Sequence, residues 1–169
     1  LALVLHAHLP FVKHENEGEL AEDWLYEAIT ETYIPLIIIM TRLIEKKVDF
    51  HLTINISPTL ATMLADSLLQ ERYQKHLEKL IELSEKELYR TKNNPEHHLA
   101  EMYNYLYKEA YHYYHERYKN NLLQAYKELQ DSGKIEIITC TATHGYLPLM
   151  LTEEAINTQI QVGVETYKK

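Results

Sequence analysis

The sequence predicts an α/β fold in which a β-α-β unit is followed by a long helical excursion and a third strand. Three observations carry that prediction: an apolar run over Leu1–Leu5, a period-2 alternation over Val48–Ile56, and a helical spacing of apolar residues between them. Strand, crossover helix and strand in that order point to parallel pairing, because parallel neighbours need a connection that returns the chain to the same end of the sheet.

Each element follows from its residues. Leu1-Ala2-Leu3-Val4-Leu5 is continuously apolar, the pattern of a strand buried on both faces. Asp23 to Lys47 places Leu25, Ala28, Ile29, Leu36, Met40, Leu43 and Ile44 at helical spacing, with Pro35 a kink or break. From Val48 to Ile56, Phe50, Leu52, Ile54 and Ile56 alternate with Asp49, His51, Thr53 and Asn55, which gives a strand with one polar face. Residues 57–131 form the helical excursion, far longer than one crossover helix. It opens on Ser57 as N-cap with Pro58 at the first helical position. A charged helix around Glu71 to Arg90 follows, then an Asn93-Asn94-Pro95 break and a Tyr-rich helix to about Leu129. After the Asp131-Ser132-Gly133 turn, Ile135 to Thr141 is β-branched and strand-like. No linker divides the chain, so residues 1–169 read as one unit.

Composition excludes several classes of function. Apolar residues are 46% and charged residues 25%, ordinary usage for a chain that builds a core. With 17 basic against 25 acidic residues and a net charge of -8, the chain has no electrostatic hold on nucleic acid phosphates. Cys140 is the single cysteine, so no internal disulfide and no multi-cysteine metal site can form, which fits a reducing, cytoplasmic setting. Leu36 to Met40 is far below the roughly 20 apolar residues that span a bilayer. The chain starts inside an apolar run without a methionine and stops at Lys168-Lys169 inside a helical pattern, so the expectation is the first part of a longer protein.

Candidate chemistry collects at the strand ends, where parallel α/β folds place their functional residues. The first strand leads into His6-Ala7-His8-Leu9-Pro10, two imidazoles on one side of an extended chain. The second ends at Asn55, and the third leads into Thr143-His144-Gly145-Tyr146. Converging, these would make a polar pocket floor. Glu15, Glu17, Glu19, Glu22 and Asp23 read as a solvated acidic loop, and Trp24, the only tryptophan, stands beside it as core or as a stacking surface for a sugar. Glu109-x-x-His112 lacks the second Glu-x-x-His of a di-iron site, and His112 to Glu116 lacks the order of a zinc protease helix. Tyr103, Tyr105, Tyr107, Tyr111, Tyr113, Tyr114 and Tyr118 surround their helix, so some must pack inward. No phosphate-binding glycine loop and no Gly-x-Ser-x-Gly elbow is present.

His6-Ala7-His8-Leu9-Pro10-Phe11, the Glu22-Asp23-Trp24-Leu25-Tyr26-Glu27 to Leu36 helix, Ser57-Pro58-Thr59-Leu60 and Thr143-His144-Gly145-Tyr146-Leu147-Pro148-Leu149 together resemble the N-terminal part of glycoside hydrolase family 57, in its branching-enzyme branch. The resemblance covers the whole chain in order. It implies part of an incomplete (β/α)7 TIM-like barrel acting on alpha-1,4-glucans (amylose, glycogen or starch) by a retaining double displacement, with no metal and no cofactor. Carried over by position, His6 and His8 would line the subsite for the sugar at the scissile bond, His144 would bind the same sugar, and Trp24 would stack near it. The nucleophilic Glu and acid/base Asp of the family lie in motifs expected beyond Lys169, so this chain alone is expected to lack turnover and to need the remainder of its barrel. A rival reading is an amidohydrolase-like metal site that begins with His6 and His8. A third is a helical interaction module presenting the Tyr-rich helix.

Overall fold

Three parallel strands lie side by side in chain order: β1 (Val4–Ala7), β2 (Leu52–Ile56) and β3 (Ile135–Ile138). The structure is a computed structural model and describes residues 2–15 and 20–169. Val4 pairs with Thr53, His6 with Asn55, Thr53 with Glu136 and Asn55 with Ile138, so these side chains share one face of the sheet. The alternate residues Leu5, Ala7, Leu52, Ile54, Ile56, Ile135 and Ile137 belong to the core and face the helices. Helices cover one face only, and the other carries the exposed Val4 and Ile138 beside His6 and Asn55. A strand buried on both faces was the expectation for the first run; instead Val4 is 60% exposed. β1 also begins later than that run, so His6 lies within the strand and not beyond its end. The other two strands are shorter than their alternation, because pairing lapses where Asp49 and His51 turn to solvent and after Ile138.

The first crossover consists of α1 (Leu20–Ala28) and α2 (Ile34–Glu45), joined by a π-helical turn over Ile29–Tyr33. Pro35 explains the turn. It brings no N–H and would crowd the carbonyl one turn back, and widening the helix just before it removes both conflicts. Ile34 N–H accordingly bonds the carbonyl of Ile29, five residues earlier. The helix therefore runs through Pro35 without breaking, burying Leu25, Ile29, Ile34, Ile37, Ile38 and Met40. Each such side chain contributes about 1.5–3 kcal/mol by leaving water.

The excursion holds α3 (Pro58–Ala65), α4 (Ser67–Thr91) and α5 (His97–Tyr111). Ser57 caps α3 through Leu60 N–H, and Asp66 caps α4 through Leu68 and Leu69 N–H. The Asn93-Asn94-Pro95 break separates α4 from α5, which pack as a helical hairpin locked inside by an Asn104–Ser84 hydrogen bond of 2.9 Å. The Tyr-rich segment is not one helix. It widens into a π-helical turn at His112–Arg117, reverses through Lys119 and Asn120 at φ 50° and 67°, and restarts at α6 (Leu122–Asp131) with Asn121 as cap. α6 is the return helix that delivers β3. Tyr114 and Tyr118 are core residues, whereas Tyr103 and Tyr105 are exposed. After β3, the loop 139–152 leads into α7 (Glu153–Tyr167).

Candidate functional site

The imidazoles of His6, His8 and His144 meet at the carboxyl end of the sheet. Ring centroids lie 4.8 Å apart for His6 and His144, 4.4 Å for His8 and His144, and 6.0 Å for His6 and His8. β1 and the residue after it thus place the first pair, His6 and His8, and the loop after β3 folds back to bring the third. Asn55 is hydrogen-bonded in register with His6 and shares its face, which completes the strand-end set expected from the sequence. Asn55 is only 7% exposed, and its Oδ1 makes no hydrogen bond among the described residues. A buried acceptor left unpaired costs about 1–3 kcal/mol, a penalty that folds tolerate mainly at sites with another use.

Each imidazole is held differently. His8 Nδ1 is 2.9 Å from Oγ of Ser57, the fully buried N-cap of α3. Burial lowers the pKa of His8 below its ordinary 6.5, and the neighbouring His144 and His6 push it the same way. His144 has a left-handed backbone, φ 57°, uncommon for any residue but glycine, and its Nδ1 lies 3.2 Å from Cys140 Sγ. The Cys140 thiol is itself held protonated by burial, which raises its pKa. Gln159 of α7 clamps the approach to His144: its backbone carbonyl accepts from Ala142 N–H, its Oε1 accepts from Thr143 N–H, and its Nε2 donates to Thr143 Oγ1. Thr59 Oγ1 donates to the Ala142 carbonyl and Thr139 Oγ1 to that of Ile56, tying this loop to the end of β2.

Trp24 does not join the cluster. It is 59% exposed on α1 and makes no ring contact among the described residues. Four other histidines make local contacts: His97 bonds Thr91, His98 the carbonyl of Pro95, His112 Glu116 and His115 Asn120. The amidohydrolase-like reading needs at least three converging ligands, and no group of three His, Cys, Asp or Glu among the described residues is arranged to hold a metal ion. No helix among them is long and apolar enough to cross a membrane.

Within the acidic loop, Glu17 and Glu19 lie outside the described residues. Glu22 is not solvated at all, which corrects the reading of that loop. It is buried, paired with Arg72, and accepts from Tyr26 O–H and His14 N–H, while Arg72 donates to the carbonyls of His14 and Glu15. This network fixes the chain that leaves His8. Its signal was present in the sequence: Arg72 interrupts the apolar stripe Leu69, Tyr73, Leu77 of α4, where a charge is buried only if paired. Ser57 was legible as a cap but not as the partner of His8.

Comparison with known proteins adds the family. Residues 2–169 match the model for glycosyl hydrolase family 57. The chain is 38% identical over its 169 residues to the 1,4-alpha-glucan branching enzyme of Thermococcus kodakarensis, covering all of this chain and 25% of that enzyme. Among solved structures, the alpha-amylase AmyC of Thermotoga maritima superposes with a TM-score of 0.93 at 45% identity, covering 99% of this chain and 32% of that one. The branching enzyme of Pyrococcus horikoshii gives 0.92 at 36%, covering 99% and 31%. The chain thus spans about a quarter to a third of the length of these relatives. A match over nearly the whole chain shows that it belongs to glycosyl hydrolase family 57.

Proposed function

We propose that this chain supplies the sugar-holding part of an alpha-1,4-glucan-active enzyme, most specifically a 1,4-alpha-glucan branching enzyme that works by retaining double displacement. The carrying observation is the meeting of His6 and His8 of β1 and its end with His144 after β3, at 4.4–6.0 Å. In such a reaction positive charge grows at the anomeric carbon, and two carboxyl groups about 5–5.5 Å apart provide the nucleophile and the proton. The imidazoles form the wall against which sugar hydroxyls are fixed, so that the anomeric carbon is presented to those carboxyls. Trp24 adds a stacking face for a further glucosyl unit. The nucleophilic Glu and acid/base Asp come from residues beyond Lys169. The exposed Val4, His6 and Ile138 on the helix-free face of the sheet support a fold completed by the rest of a (β/α)7 barrel. The whole enzyme acts on amylose, glycogen or starch in the cytoplasm.

Titration of the chain with maltoheptaose, followed by NMR of the histidine rings, tests this reading. The resonances of His6, His8 and His144 shift together, and His8→Ala or His144→Ala weakens binding about tenfold, or about 1.4 kcal/mol. Incubated with amylose, the chain alone gives no branching and no hydrolysis. Turnover that disappears in Glu15→Gln or Asp23→Asn overturns the assignment of the carboxylates to later residues.

A further inference from the structure

Ser57 offers one hydroxyl hydrogen and two lone pairs in a position that water does not reach. One lone pair accepts from Leu60 N–H at 3.3 Å, the capping bond of α3. Among the described residues, the remaining polar partner of Oγ is His8 Nδ1, at 2.9 Å. Two arrangements are then possible. If the imidazole donates from Nδ1, the Ser57 hydroxyl hydrogen has no acceptor, which costs about 1–3 kcal/mol in a buried site. If the hydroxyl donates to Nδ1, both Ser57 Oγ and His8 Nδ1 are satisfied.

We propose that Ser57 is a positioning residue that holds His8 as the neutral tautomer with its proton on Nε2. The Ser57 hydroxyl occupies the Nδ1 lone pair, and the single ring N–H is left on the nitrogen that makes no hydrogen bond among the described residues. The imidazolium form carries hydrogen on both nitrogens and so breaks this bond. The surroundings work in the same direction, since burial disfavours the imidazolium and a proton on His144 or His6 would oppose one on His8. Resting on the glucan reading above, the consequence is chemical: His8 meets the sugar as an N–H donor to a hydroxyl oxygen. It brings no full positive charge next to a carbon that becomes positive in the transition state.

Long-range proton–nitrogen NMR of the ¹⁵N-labelled 169-residue chain tests the assignment directly, because the two ring nitrogens shift in opposite senses when one is protonated. The unsubstituted chain shows His8 as a single tautomer with a protonated Nε2. In Ser57→Ala and in Ser57→Gly, which retains most capping propensity, the two nitrogen shifts converge toward those of a mixture and the midpoint of His8 titration rises. Ser57→Thr, which keeps the hydroxyl, restores the single tautomer. A protonated Nδ1 in the unsubstituted chain, or a tautomer that both Ser57→Ala and Ser57→Gly leave unchanged, overturns the proposal. Maltoheptaose that leaves the His8 resonances unmoved counts against the glucan reading alone, since the tautomer is read without ligand.

Discussion

Glu22 and Arg72 face each other across α1 and α4 at 2.6 Å, with 1% and 7% of their side chains exposed to water. A pair this deeply buried is weak evidence of net stabilisation, because desolvation offsets most of the attraction. Removing one partner is another matter. Arg72→Leu leaves a buried carboxylate with only Tyr26 O–H and His14 N–H, and frees the carbonyls of His14 and Glu15. The expected loss is about 3–5 kcal/mol in urea denaturation. Glu22→Gln keeps one oxygen for Arg72 and the His14 N–H and turns its amide N–H toward the Tyr26 oxygen, which can accept, and should lose less. Equal losses in the two variants would contradict this account.

Gly163 makes the second prediction, on the approach of α7 to the loop that carries His144. A Cβ at this position would stand 2.7 Å from the carbonyl oxygen of Cys140, closer than real Cβ atoms come. Alanine normally gains about 1 kcal/mol over glycine inside a helix. Here the neighbour is backbone and cannot swing aside, so overpacking of about 1–3 kcal/mol outweighs that gain. Gly163→Ala is therefore expected to lower the thermal midpoint and to broaden the backbone resonances of Thr141–His144. A raised midpoint would mean that α7 shifts freely.

How much of this was legible beforehand depends on the element. Alternation along β2 and the spacing along α1 and α2 showed in the sequence because burial on one face imposes a period on the residues. The His-x-His pair was legible for the same reason, since an extended chain sends both rings to one side. His144 was expected there from its place after the third strand, but the path that brings it was not legible, because a left-handed residue and a clamp from Gln159 set that loop, and neither leaves a periodic trace. Glu22 was misread because acidic neighbours masked it, and its partner lies fifty residues away on another helix. The break between α5 and α6 was missed although Asn120-Asn121 repeats the signal that was recognised at Asn93-Asn94. Asparagine tolerates the left-handed region, and that tolerance, without a proline to mark it, is easily passed over.

The left-handed backbone of His144 separates stability from function. Such a conformation costs a residue with a Cβ about 1 kcal/mol, and glycine nothing. His144→Gly is expected to be as stable as the unsubstituted chain or slightly more so in urea, while losing the 4.4 Å and 4.8 Å ring contacts and with them binding of maltoheptaose. Folding and binding lost together would show that the ring is chiefly structural.

Acid should weaken the fold in two separate windows. His76 on α4 is packed on the Tyr26 ring at 5.0 Å, and burial lowers its pKa below 6.5. Lys79 pushes the same way, whereas Asp23 and Glu27 oppose it. As pH falls past 6.5, the unfolded chain takes up this proton before the folded one does, so stability declines until the folded pKa is passed, and rises again with pH. His8 adds to the decline with the same sign. The second window lies lower. Burial pushes the Asp66 carboxyl up, but Lys13 at 2.6 Å and the N–H groups of Leu69 and Leu68 more than reverse this and hold its pKa below 3.8. Its contribution is complete above that value and is lost as pH falls through the folded pKa. Urea midpoints measured between about pH 8 and pH 3 should therefore fall in two stages. His76→Gln flattens the first stage and leaves the second, and Asp66→Asn does the reverse. A midpoint that rises on acidification through 6.5 would contradict the burial assigned to His76.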